Sequence, residues 1–255
     1  MSLTLKLATD KKVYFASDFH LGTPSRESSL VREKKLVRWL DMASKDAEAI
    51  FLLGDIFDFW FEYKRAVPKG FLRFQGRLAE LVDNGINIYI FTGNHDMWMF
   101  DYFPEELNIQ VFKDPIQLFI NDTKLYIGHG DGLGPGDEQY KKLKKIFRNK
   151  LSQRAFGMLH PSIGIGVAQR WSQRSRLANN KHEEVFHGDK EHLLVYCKER
   201  ETIEHHDYYI FGHRHLVLDL EVSENSRYLN PGDWVNNASY IVFDGKTCQL
   251  EEFNN

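Results

Sequence analysis

Five short stretches of the chain each set carboxylate, amide or imidazole side chains directly behind an apolar run. Asp18-Phe19-His20 follows VYFAS (13–17), Asp55 follows AIFLLG (49–54), and Asn94-His95-Asp96 follows INIYIFTG (86–93). His129-Gly130-Asp131 follows KLYIG (124–128), and His213-Arg214-His215 follows DYYIFG (207–212). The candidate ligands are Asp18, His20, Asp55, Asn94, His129, His213 and His215. Oxygen and imidazole donors without a thiolate suit Mn²⁺, Fe²⁺ or Zn²⁺. So many donors exceed what one tetrahedral ion needs and suit two ions about 3.5–4 Å apart that share a carboxylate. Asp55, alone at its strand end, is the natural bridge. A metal pair of this kind acidifies water and clamps a phosphoryl oxygen, which is the chemistry of phosphoester hydrolysis. Because side chains i and i+2 of an extended strand point the same way, Asp18 and His20 are expected to reach one ion together. His213 and His215 could share one ion or serve one each. His95 is expected to lean over a bound phosphate and protonate the leaving oxygen, with Asp96 fixing its tautomer.

Each motif alone would carry little, since GD and GN are common turns and a single His at a strand end is usually structural. The ordered set of five, each behind an apolar run, is what points to a site. His160, His182, His187, His192, His205 and His206 are read as ordinary structural histidines, with His182 the possible exception.

The runs that must position these residues are short and rich in Ile, Phe, Tyr and Val, as buried strands are. Between them, residues 28–44 place Leu30, Leu36, Val37 and Leu40 near one helix face. Residues 70–85 do the same with Phe71, Phe74, Leu78, Leu81 and Val82, and Asn84-Gly85 is a C-terminal stop. Strand alternating with helix predicts an α/β domain whose strand ends converge on one place. RYLNPGDW and SYIVFDGKTCQLEEF read as antiparallel strands with Asp244-Gly245 as a hairpin turn, so a mixed β-sandwich flanked by helices is expected.

With 255 residues, 42% of them apolar, the chain can form one large domain with an insertion. A net charge of −3 argues against a general nucleic-acid binder. Cys197 and Cys248 are the only cysteines and form no CxxC pair, which argues against a thiolate zinc site and a disulfide framework. The start of the chain lacks the apolar segment of a signal peptide, and no apolar stretch approaches the roughly 20 residues that span a bilayer. A soluble or peripheral protein is expected.

From Gln139 to His182 the chain holds eleven Lys and Arg and no acid, a charge of +11 against −14 on the remainder. Apolar residues such as Ile146, Phe147, Leu151, Phe156, Met158 and Ile163 give this segment greasy helix faces. It reads as a helical cap inserted between the fourth and fifth motif strands. The expected division is 1–136 with 185–255 as the core and 137–184 as the cap. Such a segment would attract an anionic pyrophosphate and an anionic bilayer surface. Few aromatics beyond Phe147, Phe156 and Trp171 are present for base stacking, so no nucleic-acid partner is expected.

The ordered motifs resemble the calcineurin-like metallophosphoesterases over residues 13–235. This resemblance implies an αββα sandwich with one ion on Asp18, His20, Asp55 and His215 and a second on Asp55, Asn94, His129 and His213. HGDGLGPGDEQY, the basic segment and SRLANNK together look like the UDP-2,3-diacylglucosamine hydrolases of lipid A synthesis. That likeness implies Mn²⁺, cleavage of the UDP-linked lipid at its pyrophosphate, and a cytoplasmic enzyme peripheral on the inner face of the bacterial inner membrane. It implies substrate contacts from Asn94, His95, Asp137, Ser175, Asn179, Lys181, His182 and His213. His95 stands where many members carry Arg, and His182 where the family has Lys. The alternatives are a phosphoesterase acting on a nucleotide, phosphoprotein or nucleic acid, and a metal-binding scaffold. The complete ligand set speaks against the scaffold.

Overall fold

The structure, a computed structural model, describes residues 1–136, 138–170, 172 and 185–254. The strands are β1 (Ser2–Leu5), β2 (Lys12–Ala16), β3 (Ala47–Leu52), β4 (Asn87–Phe91), β5 (Gln110–Phe112) and β6 (Ile116–Ile120). They continue as β7 (Thr123–Gly128), β8 (Tyr208–Phe211), β9 (Val217–Ser223), β10 (Ser226–Pro231), β11 (Ser239–Phe243) and β12 (Cys248–Glu252). The helices are α1 (Arg26–Ala43), α2 (Leu72–Asp83), α3 (Tyr102–Leu107), α4 (Glu138–Arg148), α5 (Lys150–Gly157), α6 (161–170) and α7 (His192–Glu201).

Two six-stranded mixed sheets form the centre, in the orders β12-β11-β2-β3-β4-β5 and β1-β6-β7-β8-β10-β9. β2, β3, β4 and β5 run parallel, as do β7, β8 and β10. The strand pattern explains the layers. Val13 and Phe15 of β2, and Ala49 and Phe51 of β3, join Leu118, Leu125, Ile127 and Ile210 of the other sheet in one buried cluster. Their neighbours Tyr14, Ala16, Ile50 and Leu52 point outward and are covered by Leu36, Trp39, Leu40, Phe74 and Leu78 of α1 and α2. α7 covers the second sheet through Leu193, Leu194 and Cys197 against Tyr209, Phe211 and Tyr228. A strand covered on both faces must be apolar throughout, which is why these runs do not alternate with polar residues. The result is the expected α/β sandwich of two mixed sheets flanked by helices.

The tail hairpin is present, with β11 antiparallel to both β12 and β2. β10 differs from the purely antiparallel expectation: it runs antiparallel to β9 but parallel to β8. α4, α5 and α6 lie between β7 and β8 in the chain. Phe147 and Phe156 from α4 and α5 pack on Phe61, Met97 and Trp98 of the core, and the Trp98 indole donates to the Phe147 carbonyl at 2.9 Å. Among the described residues, no helix is long and apolar enough to cross a membrane.

Candidate metal centre

All seven predicted ligands lie in loops that follow β2, β3, β4, β7 and β8. The local geometry is not the extended alternation expected from D-x-H and H-x-H. Asp18 (φ 57°), His20 (φ 45°), Asp55 (φ 50°), His213 (φ 69°) and His215 (φ 53°) are all left-handed. For non-glycine residues this costs on the order of 1–3 kcal/mol each and persists only where the surroundings enforce it. Here the neighbouring loops do so. The Asp18 amide donates to the Gly54 carbonyl at 3.0 Å, the His20 amide to the Asp55 carbonyl at 2.9 Å, and the Trp234 amide to the Asp18 carbonyl at 3.1 Å. The His213 amide donates to Asp18 Oδ2 at 2.9 Å, which brings the last ligand loop onto the first. Gly212 permits that approach, because a Cβ there would lie 2.5 Å from the same oxygen.

Ligand atoms of Asp18, His20, Asp55 and His215 all lie within 4.8 Å of one another. Nε2 of His20 is 3.0 Å from Nε2 of His215, and Nε2 of His215 is 3.2 Å from Asp18 Oδ1. His129 Nε2 forms a second convergence, 3.1 Å from Asn94 Oδ1, with the His213 ring centroid 5.2 Å from its own. Asp55 Oδ2 joins the two groups, 3.9 Å from His20 Nε2 and 3.5 Å from His129 Nε2. Its Oδ1 accepts the His95 amide at 2.8 Å.

This donor set fits divalent cations. Asp18 Oδ1 is buried 3.2 Å from His215 Nε2, yet among the described residues no well-aligned hydrogen bond reaches it, an arrangement that a cation would complete. Burial alone would push Asp55 up and His129 down. The attraction between them overrides burial, so Asp55 falls well below the usual carboxylate range and His129 rises to about 10. Burial, and then the charge on His129, push His213 down to about 4, which leaves its imidazole neutral. A potential strong enough to hold a proton on buried His129 would equally attract a divalent ion, and nitrogen and oxygen donors without sulfur suit Mn²⁺, Fe²⁺ or Zn²⁺.

His95 stands beside this cluster, its ring centroid 5.0 Å from that of His20. Its Nδ1 is 3.1 Å from the Asp58 carbonyl and 2.9 Å from the Ser172 hydroxyl. A carbonyl only accepts, so Nδ1 carries the proton and Nε2 is the exchangeable atom. Half-buried Asn94, His95, His213 and His215 line a cavity of about 590 Å³. Phe59, Trp98, Phe147 and Phe156 form an aromatic wall along one flank of it.

The sequence profile of the calcineurin-like phosphoesterases matches residues 11–217. The chain belongs to the calcineurin-like phosphoesterase family. Membership makes this phosphoesterase a metal-dependent hydrolase. It is 36% identical over 259 aligned positions to the UDP-2,3-diacylglucosamine hydrolase of Porphyromonas gingivalis, spanning 94% of this chain and 97% of that protein. The proteins of the same name from Proteus mirabilis (28% identical, 94% of this chain and 98% of that one) and Haemophilus influenzae (26%, 91% and 94%) are also similar.

One assigned role in the phosphoesterase needs correction. Asp96 does not touch His95. Its oxygens accept the amides of Gly93 at 2.7 Å, Ile56 at 2.8 Å and Phe57 at 3.3 Å, so it braces two ligand loops together. The tautomer of His95 is set instead by Asp58 and Ser172, residues the motif reading missed. The signal for Asp58 was a second acid three positions beyond Asp55 in GDIFD. Arg32, donating from α1 to the His20 carbonyl at 2.7 Å, had no signal beyond being a charge amid apolar helix positions. Asp137, Ser175, Asn179, Lys181 and His182 lie outside the described residues.

Proposed function

We propose that this phosphoesterase hydrolyses the pyrophosphate of UDP-2,3-diacylglucosamine, giving UMP and 2,3-diacylglucosamine 1-phosphate for lipid A biosynthesis. The observation that carries the reading is a continuous cavity that joins polar candidate-site residues to an aromatic wall, as an amphiphilic substrate requires. The named activity of the relatives points the same way.

Asp18, His20, Asp55 and His215 would hold one divalent ion and Asp55, Asn94, His129 and His213 the other, with Mn²⁺ the metal of choice. Bound there, the pair supplies Lewis acidity toward phosphoryl oxygens and lowers the pKa of water. Asn94 and His213 also face the substrate. With Nδ1–H committed to the Asp58 carbonyl and Ser172, His95 delivers a proton from Nε2 to the departing phosphate oxygen. Asp96 acts indirectly by holding the Gly93 and Ile56 loops in place.

Residues 137–184 act as the substrate-selecting cap, with Asp137, Ser175, Asn179, Lys181 and His182 as its substrate contacts. Ile146, Leu151, Met158 and Ile163 are exposed on a segment rich in lysine and arginine. Greasy residues set in a basic surface suit an anionic bilayer, so the enzyme works as a peripheral protein on the cytoplasmic face of the inner membrane.

The test is to incubate the chain with Mn²⁺ and either UDP-2,3-diacylglucosamine or a generic aryl phosphodiester. Release of UMP from the lipid with little turnover of the diester supports the reading. Comparable turnover of both, or of the diester alone, would replace it with a general phosphodiesterase.

A further inference from the structure

The stretch LGPG (133–136) contributes nothing to the metal centre, yet it is shaped around one side chain. Gly134 and Gly136 take φ of 72° and 86° and pack on His192. A Cβ on Gly134 would lie 2.4 Å from the His192 carbonyl oxygen, and one on Gly136 would lie 3.0 Å from the His192 ring. Nδ1 of His192 donates to the Pro135 carbonyl at 2.6 Å, so Nε2 keeps its lone pair. The residue before it, fully buried Glu191, holds the guanidinium of Arg214 at 2.5 Å, and Arg214 sits between His213 and His215. That ion pair ties the start of α7 to the segment between two candidate metal ligands, and the exposed His192 ring is oriented by its bond to the Pro135 carbonyl. His192, His187, Leu193 and Gly132 line the same cavity as the aromatic wall but come from different elements, α7 and the loops around it.

We infer that this part of the cavity is the nucleoside subsite, in which Nε2 of His192 accepts a hydrogen bond from a ribose hydroxyl of the nucleoside monophosphate half of the substrate. This inference rests on the pyrophosphatase reading. The aromatic wall suits the acyl half, which leaves the polar lining for the other. With Nδ1–H committed to Pro135, the Nε2 lone pair accepts from a hydroxyl and offers nothing to a phosphate oxygen, so the subsite takes the sugar rather than the charge. The His187 ring, its centroid 6.3 Å from that of His192, and Leu193 offer the surface against which the nucleoside rests.

Calorimetric titration of the Mn²⁺-loaded chain with UMP and with 2′,3′-dideoxyuridine monophosphate tests the inference. The wild type should bind UMP about five- to tenfold more tightly, the usual weight of one hydrogen bond. That preference should vanish in His192→Ala and survive in part in His192→Asn, which keeps an acceptor oxygen. Metal content and melting temperature are measured on the same samples. Equal binding of the two nucleotides by the wild type, or an undiminished preference in His192→Ala, would overturn the subsite. If the lipid is cleaved but the preference ignores His192, only the subsite falls. If the preference behaves as expected but the lipid is not cleaved, only the pyrophosphatase reading falls.

Discussion

Gly93 leaves the space that Asp55 occupies: a Cβ on Gly93 would come within 2.2 Å of Asp55 Oδ1 and 2.6 Å of the Asp55 amide nitrogen. The glycine of GNHD thus shapes the candidate metal centre although it has no side chain to coordinate with. Gly93→Ala should displace the Asp55 carboxylate, cost on the order of 1–3 kcal/mol in stability, and reduce both bound metal and turnover. Thermal denaturation with elemental analysis checks this, and an alanine variant with wild-type melting temperature and metal content would contradict it.

His95→Ala should slow hydrolysis by about 10²- to 10⁴-fold while the metal content stays the same, the usual weight of a positioned proton donor. Ligand atoms of His20, Asp58 and His95 lie within 4.8 Å of one another, so a role as a metal ligand is the real competitor. Loss of an ion from His95→Ala would decide for the ligand role. Ser172→Ala, which removes one of two partners of Nδ1, should have a smaller effect of the same kind.

The strands were readable because β2, β3, β4, β7 and β8 are apolar on both faces, and the residues behind them are the ones that converge. The shape of the loops was not readable. The left-handed turns at Asp18 and His20 are imposed by hydrogen bonds to Gly54 and Asp55, more than thirty positions away in sequence, so local pattern carried no sign of them. Asp96 was misassigned for the same reason, since two of its three amide donors come from Ile56 and Phe57. On α1, Leu30 and Val37 are only half-buried, while Arg32, Glu33 and Trp39 are buried. Arg32 serves the His20 carbonyl and Glu33 accepts the amides of Arg73 and Phe74 at the start of α2. Hydrophobic periodicity cannot reveal a helix face that is buried because of its hydrogen bonds.

Phe156 touches Phe61 and Trp98, with ring centroids 4.7 and 4.8 Å away, and it lines the cavity. If the aromatic wall takes the acyl chains, Phe156→Ala should raise KM for the long-chain lipid by about tenfold or more, the equivalent of the ~1.5–3 kcal/mol gained on burying such a ring. KM for a short-chain analogue should change much less. An equal change for both would separate the wall from acyl recognition.

Acid stability offers a check away from the site. Asp46 accepts from the Tyr14 hydroxyl at 2.7 Å and pairs with Lys12 at 2.8 Å. Burial raises its pKa, but the bonds from Lys12 and Tyr14 outweigh burial and hold it below its ordinary value. A carboxyl depressed on folding stabilises the fold above its unfolded pKa of about 3.9 and loses that contribution as pH falls through the folded value. Tyr14→Phe should therefore be less stable than the wild type by roughly 1 kcal/mol at pH 7, and the gap should narrow below about pH 4. Denaturant titrations at several pH values measure it. A gap that is constant with pH would mean Tyr14 does not act through Asp46.

Asp55 stands between the two groups of candidate ligands, and its removal tests the dinuclear centre directly. Elemental analysis of the folded Mn²⁺-loaded chain should give two ions per wild-type molecule and essentially none in Asp55→Ala, with hydrolysis lost. Two ions retained in Asp55→Ala would contradict the bridge and the dinuclear chemistry built on it.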